Sequence, residues 1–286
     1  MIQSMTGFGK SVLQLSGKKI TVEVKSLNSK NLDLNIRMPQ ALREMELPLR
    51  NQVAVALERG KIELSIFVEQ SADQMAGKIN APVISTYINQ LKAILPHADE
   101  TELLKMAVRM PESLKVEREE LDIEEWNVIQ NTINEALHNL KEFRIAEGVA
   151  LEKEFLHRIA NIMTFMNETA AYENERINTV RARIIGALDD LQASVDENRF
   201  EQEMIFYLEK YDITEEKVRL ENHLNYFIET LAGQETNGRK LGFILQEMGR
   251  EINTMGSKSN HAQMQKLVVQ MKDELEKIKE QVLNVL

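Results

Sequence analysis

The chain has 286 residues, 43% of them apolar and 28% charged, with a net charge of −10, so it can bury a sizeable core in one or two domains. It contains no cysteine, which excludes disulfides, thiolate metal sites and cysteine nucleophiles. No apolar run approaches the roughly 18–20 residues of a membrane span, and the opening MIQSMTGFGK lacks the pattern of a signal peptide, so a cytoplasmic protein is expected.

The first 70 residues read mainly as strands. Ile20, Val22 and Val24 alternate with polar residues, as do Leu32, Leu34, Ile36 and Met38, and then Ile62, Leu64, Ile66 and Val68. Leu27–Asn31 looks like a hairpin between the first two runs, and Ala41–Glu58 reads as a helix stopped at Gly60. Three or four antiparallel strands with one packed helix are expected. Residues 71–81 resemble a linker, and Pro82 suits the first turn of a helix running to about Leu95. Pro96 and Pro111 bracket short helical pieces.

From Ile123 the chain becomes helical for roughly 70 residues. Apolar residues recur every three or four positions, from Trp126, Ile129 and Ile133 through Leu151, Phe155 and Ile159 to Val180, Ile184 and Leu191. Gly148 and Gly186 are candidate bends. Such a stripe must be covered, and a partner subunit would cover it, which predicts a homo-oligomer. Asp212–Glu215 has the form of a capping box opening a helix to about Leu231, followed by the turn Ala232–Gly238. A second helix is expected from Arg239 to Ile252, then a break over Asn253–Asn260. A last helix carries Met264, Leu267, Met271, Leu275, Ile278 and Val282 on one face. The class is α+β, predominantly α: an N-terminal antiparallel sheet with a packed helix, long coiled-coil-like helices, and a C-terminal helical unit.

Charge is unevenly spread. Residues 1–70 carry 10 Lys/Arg against 7 Asp/Glu, residues 99–209 carry 12 against 25, and residues 239–266 carry 5 against 2. Two mildly basic ends therefore flank an acidic middle, although most charge asymmetry of this size is solvated helix surface. Glu247 and Glu251 stand four apart, so on a helix both carboxylates project from one side and could hold a hard divalent cation. Arg250 beside them could clamp a phosphate. The same residues could instead satisfy one another on a solvated face. Gly256, Ser257, Ser259 and Asn260 with Lys258 could form an anion site at a helix N-terminus, or simply a capped turn. His223 could act as a general base or be a structural helix histidine. Lys25, Lys30 and Arg37 leave the polar face of the predicted sheet, where they could follow a phosphate backbone.

Several longer strings carry a resemblance. Met5-Thr-Gly-Phe-Gly9, Glu23–Lys30 and Arg59–Leu64 lie at one end. Arg219–Leu224, Gly238–Phe243, Gln246–Thr254 and Lys258–Asn260 lie at the other. In this order they resemble the YicC-type endoribonucleases over essentially the whole chain. Gly242 departs from that pattern, in which an acidic residue is frequent. The resemblance implies a metal-dependent endoribonuclease acting on single-stranded RNA as a ring-like homo-hexamer, using a divalent cation such as Mg or Mn and no membrane. It divides the chain into an α/β region over residues 1–155, a connecting helix over 156–202 and a helical domain over 203–286. In its light His223, Glu247, Arg250 and Glu251 become catalytic candidates, with Glu247 and Glu251 as metal ligands. Lys25, Arg37, Arg239 and Lys258 become candidate RNA contacts. The alternative is an RNA-binding or scaffolding oligomer with little catalysis.

Overall fold

The computed structural model describes residues 2–15, 17–70, 78–115, 123–190, 197–233 and 238–286. Residues 71–77 of the linker expected over 71–81, Leu191 and most of the turn after Gly233 lie outside them. The chain forms two compact units. One comprises Phe8–Ser26 and Asn31–Leu140; the other comprises Met1–Gly7, Leu27–Lys30 and Lys141–Leu286.

The first unit is built on four strands, β1 (Gly7–Leu15), β2 (Lys18–Leu27), β3 (Leu32–Arg37) and β4 (Gly60–Gln70), in the order β1-β2-β4-β3. β3 runs parallel to β4, from Leu32 opposite Gly60 to Arg37 opposite Ser65. The sheet is therefore mixed, and the expected hairpin between β2 and β3 does not form. The helical stretch between β3 and β4 explains this, because parallel strands need a crossover and a helix supplies it. That stretch is a short 3₁₀ turn, Gln40–Met45, then α1 (Glu46–Ala56). Pro48 lacks an amide hydrogen and fits only the first turn, so the α-helix starts at Glu46 rather than at Ala41. Gly60 enters β4 with φ 123°, a conformation open to glycine.

Ile20, Val22 and Val24 of β2 and Ile62, Leu64 and Ile66 of β4 are buried against Leu49 and Val53 of α1 and against Ile129, Ile133 and Leu140. The last three belong to the long helix α4 (Ile123–Glu168). A two-stranded antiparallel pair, β5 (Lys78–Ile79) with β6 (Leu114–Lys115), brackets α2 (Ala81–Ile94) and α3 (Glu100–Ala107). Pro82 stands in the first turn of α2, as expected.

The second unit holds the rest of α4 with α5 (Ala170–Asp190), α6 (Glu197–Tyr211), α7 (Thr214–Ala232), α8 (Gly238–Lys258) and α9 (Ala262–Val282). Its core joins Phe155, Ile159 and Ile162 to Leu224, Phe227, Leu245, Met248, Met271 and Leu275. Phe155 and Phe227 meet edge to face at 6.1 Å. The two chain ends pair here. Met5 N donates to Asn284 O at 2.7 Å and Leu286 N to Gln3 O at 2.9 Å.

The part of the expected apolar stripe from Trp126 to Met166 is buried in the chain's own two cores. Three expectations are corrected. The long helix breaks at Thr169, whose buried hydroxyl donates to Met166 O at 2.6 Å, and not at Gly148 or Gly186. Gly148 instead allows close packing, since a Cβ there would lie 2.0 Å from Ile2 O. Asp212 makes no reciprocal box: its Oδ1 accepts from Thr214 N at 2.9 Å and Thr214 Oγ1 at 2.7 Å, while Glu215 pairs with Arg219. Finally, α8 runs straight through Asn253–Lys258. Gly256 sits inside it where a Cβ would come within 3.0 Å of Val268 Cγ1 on α9.

Among the described residues no helix is long and apolar enough to cross a membrane.

Candidate functional site

Helix α8 sorts its residues into three stripes. Leu241, Ile244, Leu245, Met248, Ile252 and Met255 are buried at spacings of three and four. Arg239, Phe243, Gln246, Arg250, Asn253 and Ser257 follow the same spacing on the exposed side. Along one flank, between the two, run Glu247, Glu251, Thr254 and Lys258. The expected convergence of Glu247 and Glu251 on one side thus holds, but their surroundings differ. Glu247 is half-exposed and accepts from Arg250 Nη1 at 3.1 Å. Glu251 is 6% exposed, and no hydrogen bond or ion pair engages its carboxylate among the described residues. The Arg250 side chain remains 72% exposed beyond its contact with Glu247.

Lys258 closes the flank. Its Nζ donates to Glu216 Oε1 of α7 at 2.7 Å, linking the last residue of α8 to the first turn of α7. The two helices are therefore antiparallel. His223 lies seven residues on from Glu216, and Glu251 seven back from Lys258, about two turns in each case. His223 and Glu251 thus stand at the same level of the helix pair, each on the face that carries the Glu216–Lys258 bond. No hydrogen bond joins His223 to Glu247 or Glu251 among the described residues. Nor is there a cluster of three or more His, Asp or Glu side chains of metal-binding geometry among those residues. The helix N-terminus that an anion site around Gly256–Asn260 would have needed does not open at Ser257 or Ser259, because residues through Lys258 are helical and Ser259 Oγ donates to Met255 O at 2.6 Å. His261, rather than a serine or asparagine, is the N-cap of α9, with no side-chain cap bond.

The basic candidates divide between the units. Arg239 lies over the ring of exposed Phe243, 5.9 Å from its centroid, at the start of α8. Lys25 and Arg37 belong to the sheet unit. Arg37 is held by Glu63 at 2.9 Å, whereas Lys25 is only 3.9 Å from Glu23 and lies 5.9 Å from the ring centroid of Phe8. Phe8 is 40% exposed, and Phe67 on β4 is 50% exposed. Strand alternation puts both on the open face with Lys25, so that face does offer aromatic surface. The sequence pattern hid Phe8 because the inward positions of β1 are Gly9 and Ser11, leaving Phe8 and Val12 outward and inverting the usual signal.

Residues 2–153 match the family model for the N-terminal region of endoribonuclease YicC-like proteins, and residues 169–286 match the model for their C-terminal part. A Clostridioides difficile protein named "Probable endoribonuclease YicC" is 33% identical, with each chain covered in full. A Haemophilus influenzae protein of the same name is 29% identical, again over the whole of both. The expected resemblance extends over both ends of the molecule, and the chain belongs to the YicC-like endoribonuclease family.

Proposed function

We propose that this protein is an endoribonuclease that cleaves phosphodiester bonds of single-stranded RNA in the cytoplasm, assisted by a divalent cation and assembled as a homo-oligomer, a hexamer by family resemblance. The observation that carries the reading is the α8 flank, where a largely buried Glu251, engaged by no hydrogen bond or ion pair among the described residues, and the half-exposed Glu247 stand beside the exposed Arg250. Full-length relatives whose names specify endoribonuclease activity support the substrate class.

Arg250 would hold the scissile phosphate by charge-assisted hydrogen bonds, displacing Glu247 from its guanidinium. Glu247 and Glu251 would hold Mg or Mn, and two carboxylates suit an ion that keeps several waters and takes further oxygens from substrate. When bound, the cation would supply stabilisation of charge developing on the phosphoryl oxygens. His223 would transfer a proton at a ribose hydroxyl or at water. Lys25 and Arg37, with Phe8 beside Lys25, would follow the backbone and bases of a strand. The exposed Ile205, Phe206 and Leu208 of α6 are apolar surface suited to a subunit contact.

The test is incubation of the purified protein with end-labelled single-stranded RNA plus Mg or Mn, with and without chelator, followed by end-group analysis. Internal cuts that the chelator abolishes are expected. RNA binding without any cuts would overturn the reading in favour of an RNA-binding scaffold.

A further inference from the structure

Helices α5 and α6, with Asp212 just ahead of α7, line a cavity of about 350 Å³. Arg176 lines it and is 5% exposed, and its Nε and Nη1 have no hydrogen-bond partner among the described residues. Burial pulls the guanidinium's pKa below its ordinary value, with Glu173 and Asp212 opposing the shift. A buried arginine with open donors is costly unless something accepts from it. The remaining wall combines apolar Val180 and Met204, the rings of Tyr207 and Tyr211, and the carboxylates of Glu209 and Asp212. The two tyrosine rings stack with centroids 6.0 Å apart.

The charge pattern narrows the ligand. A free phosphate would meet Arg176 but also the carboxylates of Glu173, Glu209 and Asp212. Lys217 holds the first at 3.0 Å, and the charges of Lys258 and Arg176 itself act on Asp212, whereas no ion pair engages Glu209 among the described residues. A neutral, flat ligand that offers acceptors at one edge and donors at the next avoids that repulsion. Among the bases, guanine has this arrangement: O6 and N7 accept, as arginine requires, while N1–H and the N2 amino group donate, as a carboxylate requires. Adenine, cytosine and uracil do not put two adjacent acceptors beside two adjacent donors. A cavity of this volume is ligand-sized, and tyrosine rings stack on an unpaired base.

We propose that this cavity takes an unpaired guanine of a bound RNA strand, with O6 and N7 on Arg176, N1–H and N2–H facing Glu209 and Asp212, and the base against the tyrosines. The RNA source rests on the nuclease reading above; the guanine site does not. It gives the protein a preference for strands carrying an unpaired guanine.

Two measurements on the full-length protein separate these claims. In the first, guanosine and adenosine are titrated calorimetrically against the parent, Arg176→Met and Glu209→Gln. Guanosine is expected to bind the parent at least tenfold more tightly than adenosine, and both variants are expected to lose that preference. Glu209 is exposed, so its variant tests the site even where Arg176→Met disturbs packing. Equal binding of the two nucleosides, or a preference that survives both substitutions, overturns the site. In the second, an oligoadenylate and the same strand with one central guanosine are compared by fluorescence anisotropy. The single guanosine is expected to tighten binding about tenfold in the parent and not in the variants. Guanosine binding with no such RNA preference overturns the assignment to RNA. Guanosine binding as predicted, by a protein that cuts no RNA, would sink the nuclease reading and leave the guanine site standing.

Discussion

Lys258 at the end of α8 donates a 2.7 Å hydrogen bond to Glu216, a carboxylate 5% exposed in the first turn of α7. The other oxygen of Glu216 has no partner among the described residues, so this one bond carries the compensation for a buried charge there. Lys258→Ala would leave Glu216 buried and unpaired, at a cost of about 2–4 kcal/mol. Urea unfolding should show a lower midpoint, and Glu216→Leu added to Lys258→Met should recover part of the loss. Equal stability of parent and Lys258→Ala would mean that the register of α7 on α8 does not depend on the pair. The result also bears on RNA binding: a lysine so engaged is a poorer phosphate contact than its family position suggests.

The chemical roles separate by variant. Glu251→Gln keeps the shape of the side chain and should abolish cleavage while leaving RNA affinity and melting temperature nearly intact. Arg250→Ala should remove about 2–4 kcal/mol of transition-state stabilisation, the size of one lost electrostatic stabiliser. His223→Ala should slow cleavage on the order of 10²–10⁴-fold if it transfers a proton. Parental rates for Glu251→Gln would move the active centre elsewhere.

On the sheet unit, charge and stacking can be told apart by salt. Lys25→Ala should reduce the dependence of log affinity on log salt by about 0.7, the value per phosphate contact on single strands. Arg37→Ala should change it less, because Glu63 holds that guanidinium at 2.9 Å. Phe8→Ala should weaken binding by about 1–3 kcal/mol through lost stacking, with the salt slope unchanged. Identical slopes and affinities for all three variants would remove this face from the RNA track.

Much of the second unit was legible as periodicity. The stripes of α7, α8 and α9, and the shared flank of Glu247 and Glu251, follow from spacing alone. Glycine was the main source of error. Gly148 and Gly256 read as bends or breaks, yet both sit inside helices because something comes too close for a Cβ: Ile2 O at 2.0 Å and Val268 Cγ1 at 3.0 Å. Periodicity cannot separate a glycine that frees the backbone from one that admits a neighbour. The parallel pairing of β3 with β4 was available in the strand–helix–strand order, but the short polar stretch Leu27–Asn31 looked more like a hairpin. The cavity beside Arg176 was hidden by its own helix, whose Ile177 and Val180 read as an ordinary apolar stripe.

The close approach at Gly148 has a measurable consequence. Gly148→Ala would push a methyl group into the Ile2 carbonyl, a backbone atom tied by the neighbouring bonds of Ser4 to Arg144 and Leu286 to Gln3. A destabilisation of about 1–3 kcal/mol is expected, against the usual helical gain from replacing glycine by alanine. Gly242→Ala is the control, since nothing lies within 4 Å of its added Cβ, and it should be neutral or stabilising. A stabilised Gly148→Ala would mean that the segment around Ile2 does not pack against α4.

Acid stability should report on Glu274 of α9. Burial by itself would raise its pKa. Hydrogen bonds from Lys277 at 2.9 Å, Asn161 at 3.0 Å and Arg158 at 3.1 Å outweigh that and hold it at about 2. A carboxyl group whose folded pKa lies below its unfolded value of about 4.3 binds fewer protons folded than unfolded, so it adds stability above the unfolded value. That stability is lost as pH falls through the window down to about 2. Because Lys277 and Arg158 are partly open to solvent and screened by it, the contribution at neutral pH is on the order of 1–3 kcal/mol. Urea midpoints measured between pH 7 and pH 2 should therefore fall steeply below about pH 4.5 in the parent. Glu274→Gln should be less stable at pH 7 and show a shallower fall across the same window, because the amide does not titrate while Asn161 and Arg158 keep an oxygen acceptor. Parallel pH profiles for parent and variant would show that the acid transition belongs to other carboxylates.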